Sequence, residues 1–121
     1  MKMVSGNNDE KITLQIILPF IAPTSPPTLT SYYDVDSTSL YFSWSPPPVD
    51  HQNGIIRRYD LTLTELETGS VFSYSTTGTN FTAMLLHPNY QYQLEVSAVT
   101  IGTGPSSVPV ILLTPEDGMN I

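Results

Sequence analysis

The chain has 121 residues, enough for one domain of ordinary size and too few for two. Eleven Asp and Glu stand against four Lys and Arg, a formal net charge of −7, and there is no cysteine. That balance excludes a basic nucleic-acid footprint, and the missing thiols exclude disulfides, thiolate metal sites and thiol catalysis. Hydrophobic residues make up 40% of the chain, too many for a disordered acidic polymer. No apolar run approaches the length of a membrane-spanning helix, so no membrane insertion is expected within this chain.

Composition tilts toward strands. Alanine, the best helix former, occurs three times, against 7 Tyr and 11 Pro. Thr, Tyr, Val and Ile suit a pleated, half-buried surface, and Pro and Gly punctuate turns.

The first 25 residues read as an extension. Residues 1–10 are polar. Residues 11–21 are apolar and β-branched, and Ile12, Leu14 and Ile16 alternate with Thr13 and Gln15. This predicts a short strand over 12–18. A secretory signal is the competing reading, but Asp9 and Glu10 occupy the place of a positive leader and Pro19 interrupts the apolar run. The strand could also be the last of a preceding domain. Without an assigned partner it is a candidate for self-pairing, with its own sandwich or with a second copy of the chain. Residues 22–27 (APTSPP) read as a stiff linker.

From Thr28 onward, short alternating runs recur about every ten residues. Strands are predicted at 28–33, 38–45, 55–64, 70–76, 79–85, 90–100 and 107–114. Leu40, Phe42 and Trp44 share one face of the second. Pro46, Pro47 and Pro48 end it, because proline cannot donate to a ladder. A change of phase between Ile56 and Tyr59 predicts a bulge or bend. Residues 67–69 and 102–105 read as turns, and Pro109 marks the last strand as an edge or as its start. Seven short antiparallel strands and no helix predict an all-β, immunoglobulin-like two-sheet sandwich. Trp44 is too large to stand exposed on an alternating strand and is placed at the centre of the core.

Four segments carry a family resemblance. They are Leu40–Pro47 (LYFSWSPP), Gly54-Ile55-Ile56-Arg57-Arg58-Tyr59, Leu86-His87-Pro88 with Tyr92, and Gly102-Thr103-Gly104-Pro105-Ser106. Together, in this order, they resemble a fibronectin type III domain spanning residues 26–115, with residues 116–121 as a tail. The resemblance implies core roles for Trp44, Tyr59, Ile56, Leu86 and Pro88. It also implies a tyrosine corner in which the Tyr92 hydroxyl bonds the backbone near residues 86–88. It further implies binding through loops or sheet faces. Loop 46–54 should lie beside loop 100–106, so His51, Gln52, Asn53, Ile101 and Thr103 are candidate contact residues.

Little points to catalysis. The only imidazoles are His51 and His87, both in predicted loops. His51 beside Asp50 is not a ligand set. Asp34 with Asp36, and Glu65 with Glu67, are spaced to share one strand face and read as a solvated surface. No catalytic residue, cofactor or metal site is expected. There is no Arg-Gly-Asp tripeptide and no cytokine-receptor signature. Asn80-Phe81-Thr82 is an N-glycosylation sequon, and an inward Phe81 would turn Asn80 outward. The resemblance implies a non-catalytic interaction or spacer module, one repeat of a larger extracellular adhesion or receptor protein with protein partners. The alternative is an intracellular scaffold repeat or a spacer in a microbial enzyme.

Overall fold

The computed structural model describes residues 21–117. The strand expected at 12–18, its self-pairing and the competing signal reading lie outside the described residues, as does the end of the tail. Eight strands follow in order: β1 (Thr28–Asp36), β2 (Ser39–Ser45), β3 (Arg58–Glu65), β4 (Val71–Thr76), β5 (Asn80–Ala83), β6 (Gln91–Val99), β7 (Thr103–Ser106) and β8 (Val110–Leu113). Every pairing is antiparallel. One sheet runs β1-β2-β5, and the other runs β4-β3-β6 with β7 and β8 both paired to β6. This is an all-β, immunoglobulin-like sandwich in which β7 and β8 are two halves of a seventh strand.

That break has a local cause. Ser107 is buried between the halves; its N–H donates to the Val96 carbonyl at 2.8 Å. Its hydroxyl then accepts the Val96 N–H at 3.0 Å. A side chain thus takes a bond the ladder would have made, and Pro109 has no N–H with which to resume it. The ladder restarts at Val110 opposite Leu94. Residues 103–106, read as part of a turn, belong instead to β7.

Two other boundaries move by three residues, and the strand expected at 79–85 shortens to Asn80–Ala83. β1 continues past residue 33 because its pairing runs on through Tyr33–Tyr41 and Asp34–Leu40 to Asp36–Ser39. β3 begins at Arg58 rather than at 55. Residues 55–57 are extended outside the ladder, with the Arg57 N–H donating to the Val99 carbonyl at 2.8 Å, so the phase change is a bend.

The core is the set of inward positions. Leu40, Phe42 and Trp44 from β2 face Tyr59, Leu61 and Leu63 from β3 and Tyr92, Leu94, Val96 and Ala98 from β6. Each large side chain so buried stabilises the fold by about 1.5–3 kcal/mol. The Trp44 ring meets the Tyr59 ring edge-on, with centroids 5.4 Å apart. Its buried Nε1 has no hydrogen-bond partner among the described residues.

Candidate functional site

Two clusters lie at opposite ends of β6, one beyond Val99 and the other around Tyr92. The first is a pole made by loops. β2 stops at Ser45 before three prolines, and Val49–His51 then form a single 3-10 turn. The chain reverses at Asn53 and Gly54, with φ of 55° and 129°. Glycine adopts such angles freely and asparagine tolerates the first. The Gln52 side-chain amide donates to the Pro47 carbonyl at 2.8 Å, which ties the loop to itself.

The leading residues 21–24 complete this pole. The Gly102 N–H donates to the Ile21 carbonyl at 2.6 Å, and the Thr100 hydroxyl donates to the same oxygen at 3.1 Å. Asn53 Nδ2 donates to the Ala22 carbonyl at 3.0 Å. The Thr24 N–H donates to the His51 carbonyl at 2.9 Å, and the Thr24 hydroxyl shares a 3.1 Å bond with His51 Nδ1. A Cβ on Gly104 would stand 2.8 Å from Pro23 Cβ and 3.0 Å from the Pro23 carbonyl, so only glycine admits this approach. The segment read as a stiff linker is therefore hydrogen-bonded to both loops at its start. An extended proline-rich backbone cannot pair with itself, and it takes its partners from the loops.

The contact candidates thus divide. Gln52 and Asn53 are engaged by the chain's own backbone, and His51 is bonded to Thr24. Thr103 is exposed but sits in β7 opposite Val99, not in a loop. Ile101 is 69% exposed, and beside it Ile55 is 86% exposed. Asn53, Gly54, Arg57 and Thr100 line a depression with them. Sequence reading put Ile55 inside a strand and missed it as a surface residue. The adjacency of Ile55 and Ile56 was the available signal: Ile56 packs against the core, so its neighbour must face the other way.

The second cluster corrects the reading of Glu65 as a surface carboxylate. Glu65 is buried. Its Oε2 accepts from the Tyr92 hydroxyl at 2.7 Å and lies 2.8 Å from His87 Nδ1; its Oε1 accepts from the Thr68 hydroxyl at 2.6 Å. The Tyr92 hydroxyl in turn accepts the His87 backbone N–H at 2.8 Å. Tyr59, Leu61, Leu63 and Glu65 share one phase of β3, and that phase points inward. Glu67 lies past the end of β3, exposed, and accepts the Gln91 N–H. Asp36 likewise leaves the face of Asp34 through a register irregularity and accepts the Thr38 N–H at 2.9 Å.

The electrostatics follow from these bonds. Hydrogen bonds from Thr68, His87 and Tyr92, in that order, hold the Glu65 carboxyl down at about 2 against the opposing cost of burial. Burial first, and then the bond to Glu65, pushes the Tyr92 phenol up to about 12. A charged carboxylate inside the fold is stable because each oxygen has a donor. The centre of the cluster is closed: Tyr92 and Glu65 are buried, and the Thr114 hydroxyl bonds the His87 and Tyr90 carbonyls, while the His87 ring and Thr68 lie at the surface over them.

The remaining residues singled out from sequence are placed as follows. Trp44, Tyr59, Leu86 and Tyr92 are buried, while Ile56 and Pro88 are half-buried. Asp50 and His51 approach only to 3.9 Å, both exposed. Among the described residues no group of three His, Cys, Asp or Glu is placed to hold a metal ion. Asn80 is exposed on β5.

Comparison with known proteins agrees with this architecture. The family model described as "Fibronectin type III domain" matches residues 25–112. Over 94 residues, 73% of this chain, the sequence is 37% identical to Roundabout homolog 2 of Homo sapiens. Over 120 residues, 93% of this chain, it is 34% identical to the cell adhesion molecule DSCAM of Homo sapiens. The matched stretches span 7% and 6% of those two proteins. The solution structure of the third fibronectin III domain of human KIAA0343 protein superposes with a TM-score of 0.70 at 22% identity, covering 81% of this chain and 87% of that one. A tryptophan–tyrosine core, a tyrosine corner, a seven-stranded sandwich and a family model matched across it lead to one conclusion: this chain belongs to the fibronectin type III domain family.

Proposed function

We propose that this domain is a non-catalytic spacer and protein-contact module, one repeat of a larger cell-surface adhesion or receptor protein. The observation that carries the reading is the separation of its ends. The chain comes in at the pole of the 46–57 and 100–102 loops, bonded to His51, Asn53 and Thr100. It leaves at the opposite pole, where Asn89 N–H bonds the Thr114 and Pro115 carbonyls. Copies joined through such ends form a rod, and short bonded joints give the rod a set angle rather than a free hinge. Resemblance to repeats of the cell adhesion molecule DSCAM supports a surface setting, by analogy of sequence.

Ile101 and Ile55 form the contact patch in this reading, with the exposed Arg57 beside them, since the neighbouring Gln52, Asn53 and Thr100 side chains are already engaged. Two measurements test it. Antibody to this domain should label intact, unpermeabilised cells that make the parent protein; labelling only after permeabilisation would overturn the surface assignment. Replacing Ile55 and Ile101 together by Glu should weaken cell binding or partner capture at least about tenfold, the size of a modest interface hot spot. Unchanged binding by a folded variant would remove this pole from the interface.

A further inference from the structure

Asn80-Phe81-Thr82 is the only Asn-x-Ser/Thr tripeptide in the chain. The fold sets it on β5, at the edge of the three-stranded sheet. Phe81 pairs with Phe42 and packs on Tyr74, with ring centroids 4.7 Å apart. The two-residue period of a strand then turns Asn80 and Thr82 away from the core, and both are exposed. Across the ladder Asn80 faces Ser43, and Thr82 faces Tyr41. Ser43 directs its hydroxyl elsewhere, toward Thr30 at 3.3 Å and the Ser31 carbonyl at 3.4 Å. Tyr41 pairs with Tyr33, and their rings lie 5.0 Å apart at 31° on the same outer face. Tyr33 is 51% exposed. The sequon thus opens onto small hydroxyl side chains, with Tyr41 one strand across and two residues along, a diagonal of roughly 7–8 Å, and Tyr33 one strand beyond it.

We propose that Asn80 carries an N-linked oligosaccharide whose first sugars cross Ser43 and rest on the Tyr41–Tyr33 pair. The sugar's hydroxyls suit the serines, and its apolar ring face suits the aromatic surface. The glycan covers the outer face of this sheet and its β5 edge, where open backbone groups otherwise invite a strand from another chain. Recognition is thereby directed to the loops and the other sheet. The inference rests on the cell-surface reading, because the secretory lumen supplies the donor, a lipid-pyrophosphate-linked oligosaccharide. In the transfer, Asn80 Nδ2 forms a bond to the sugar C1 and gives up one proton. The C1–oxygen bond to the lipid pyrophosphate breaks, and the pyrophosphate leaves with the electron pair.

The test routes the full 121-residue chain into the secretory lumen of a mammalian cell behind a supplied, cleavable leader. Intact mass is read on the retained and secreted pools before and after amidase deglycosylation. The expected result is loss of one core oligosaccharide and a new carboxylate at position 80, with no glycan on Asn80→Gln or Thr82→Ala. Luminal wild-type chain with an unmodified Asn80 overturns the site, whatever compartment the natural protein occupies; that question is answered separately by surface labelling. The resting place of the glycan is read by NMR. Upfield-shifted protons of the first sugar are expected in the wild type, and their return to free-glycan positions is expected in Tyr33→Ser. Free-glycan shifts in the wild type would overturn the docked arrangement.

Discussion

At the Tyr92 end a carboxylate is sealed inside the fold, while at the Ile101 end apolar side chains stand in water. The first end closes its buried polar atoms on one another: Glu65 accepts from Tyr92 and Thr68, and Tyr92 from the His87 backbone, at 2.6–2.8 Å. The second end bonds its own leading segment through backbone carbonyls and leaves Ile55 and Ile101 without cover. Both ends belong to the same sandwich, the first held by Glu65 of β3 and Tyr92 of β6 and the second by loops. The lesson is that a buried charge in this chain marks construction, whereas the exposed isoleucines are left unused by the fold itself.

Five changes break or sharpen that contrast. Trp44 is the packing from which the loop pole rises, and Trp44→Ala should cost about 3–5 kcal/mol in chemical denaturation. A loss under about 1 kcal/mol would show that the indole does not hold the seam.

Tyr92→Phe removes a donor from the buried carboxylate and an acceptor from the His87 N–H, and should cost about 1.5–3 kcal/mol. Its pH dependence sharpens the point. Glu65 has a folded value of about 2 against an ordinary 4.5, so the stability it supplies is complete above the ordinary value and is lost as pH falls from 4.5 toward 2. Tyr92, raised from 10 to about 12, supplies stability that is lost as pH rises across that interval. Acid unfolding of Glu65→Gln should be flatter between pH 4.5 and 2 than that of the wild type; an identical acid limb would contradict the sealed carboxylate.

At the other pole, Gly104→Ala sets a methyl group against Pro23 and should cost about 1–2 kcal/mol through local overpacking. Amide exchange should quicken at Gly102, whose N–H bonds Ile21, and stay slow at His87. Equal effects at both amides would mean that the two ends are not independent.

The smallest change concerns Leu85, at φ 61° and 96% exposed, a left-handed residue whose side chain packs on nothing. Leu85→Asn should raise stability by about 0.5–1 kcal/mol, seen as a higher melting temperature, since asparagine accepts that conformation with less strain.

Much of this molecule is legible in its sequence because alternation is a local property. Leu40, Phe42 and Trp44, and Tyr92, Leu94 and Val96, declare their inner face without reference to any partner. The same rule applied one position further along β3 points Glu65 inward. Expecting charge to be solvated overrode it. The break at Ser107, the bonded leading segment and the engagement of Asn53 were not legible, because each depends on a partner distant in sequence: Asn53 reaches Ala22 and Thr100 reaches Ile21, 31 and 79 residues away.

The sequence by itself determined the strands, the indole and phenol of the core and the family, since these follow from period, size and turn chemistry within short windows. Tertiary structure alone decided which charges are buried, which loop side chains are spent on the chain's own backbone and which remain exposed. Hydrogen-bond satisfaction and exposure are properties of neighbours in space, and folding brings those neighbours from far along the chain.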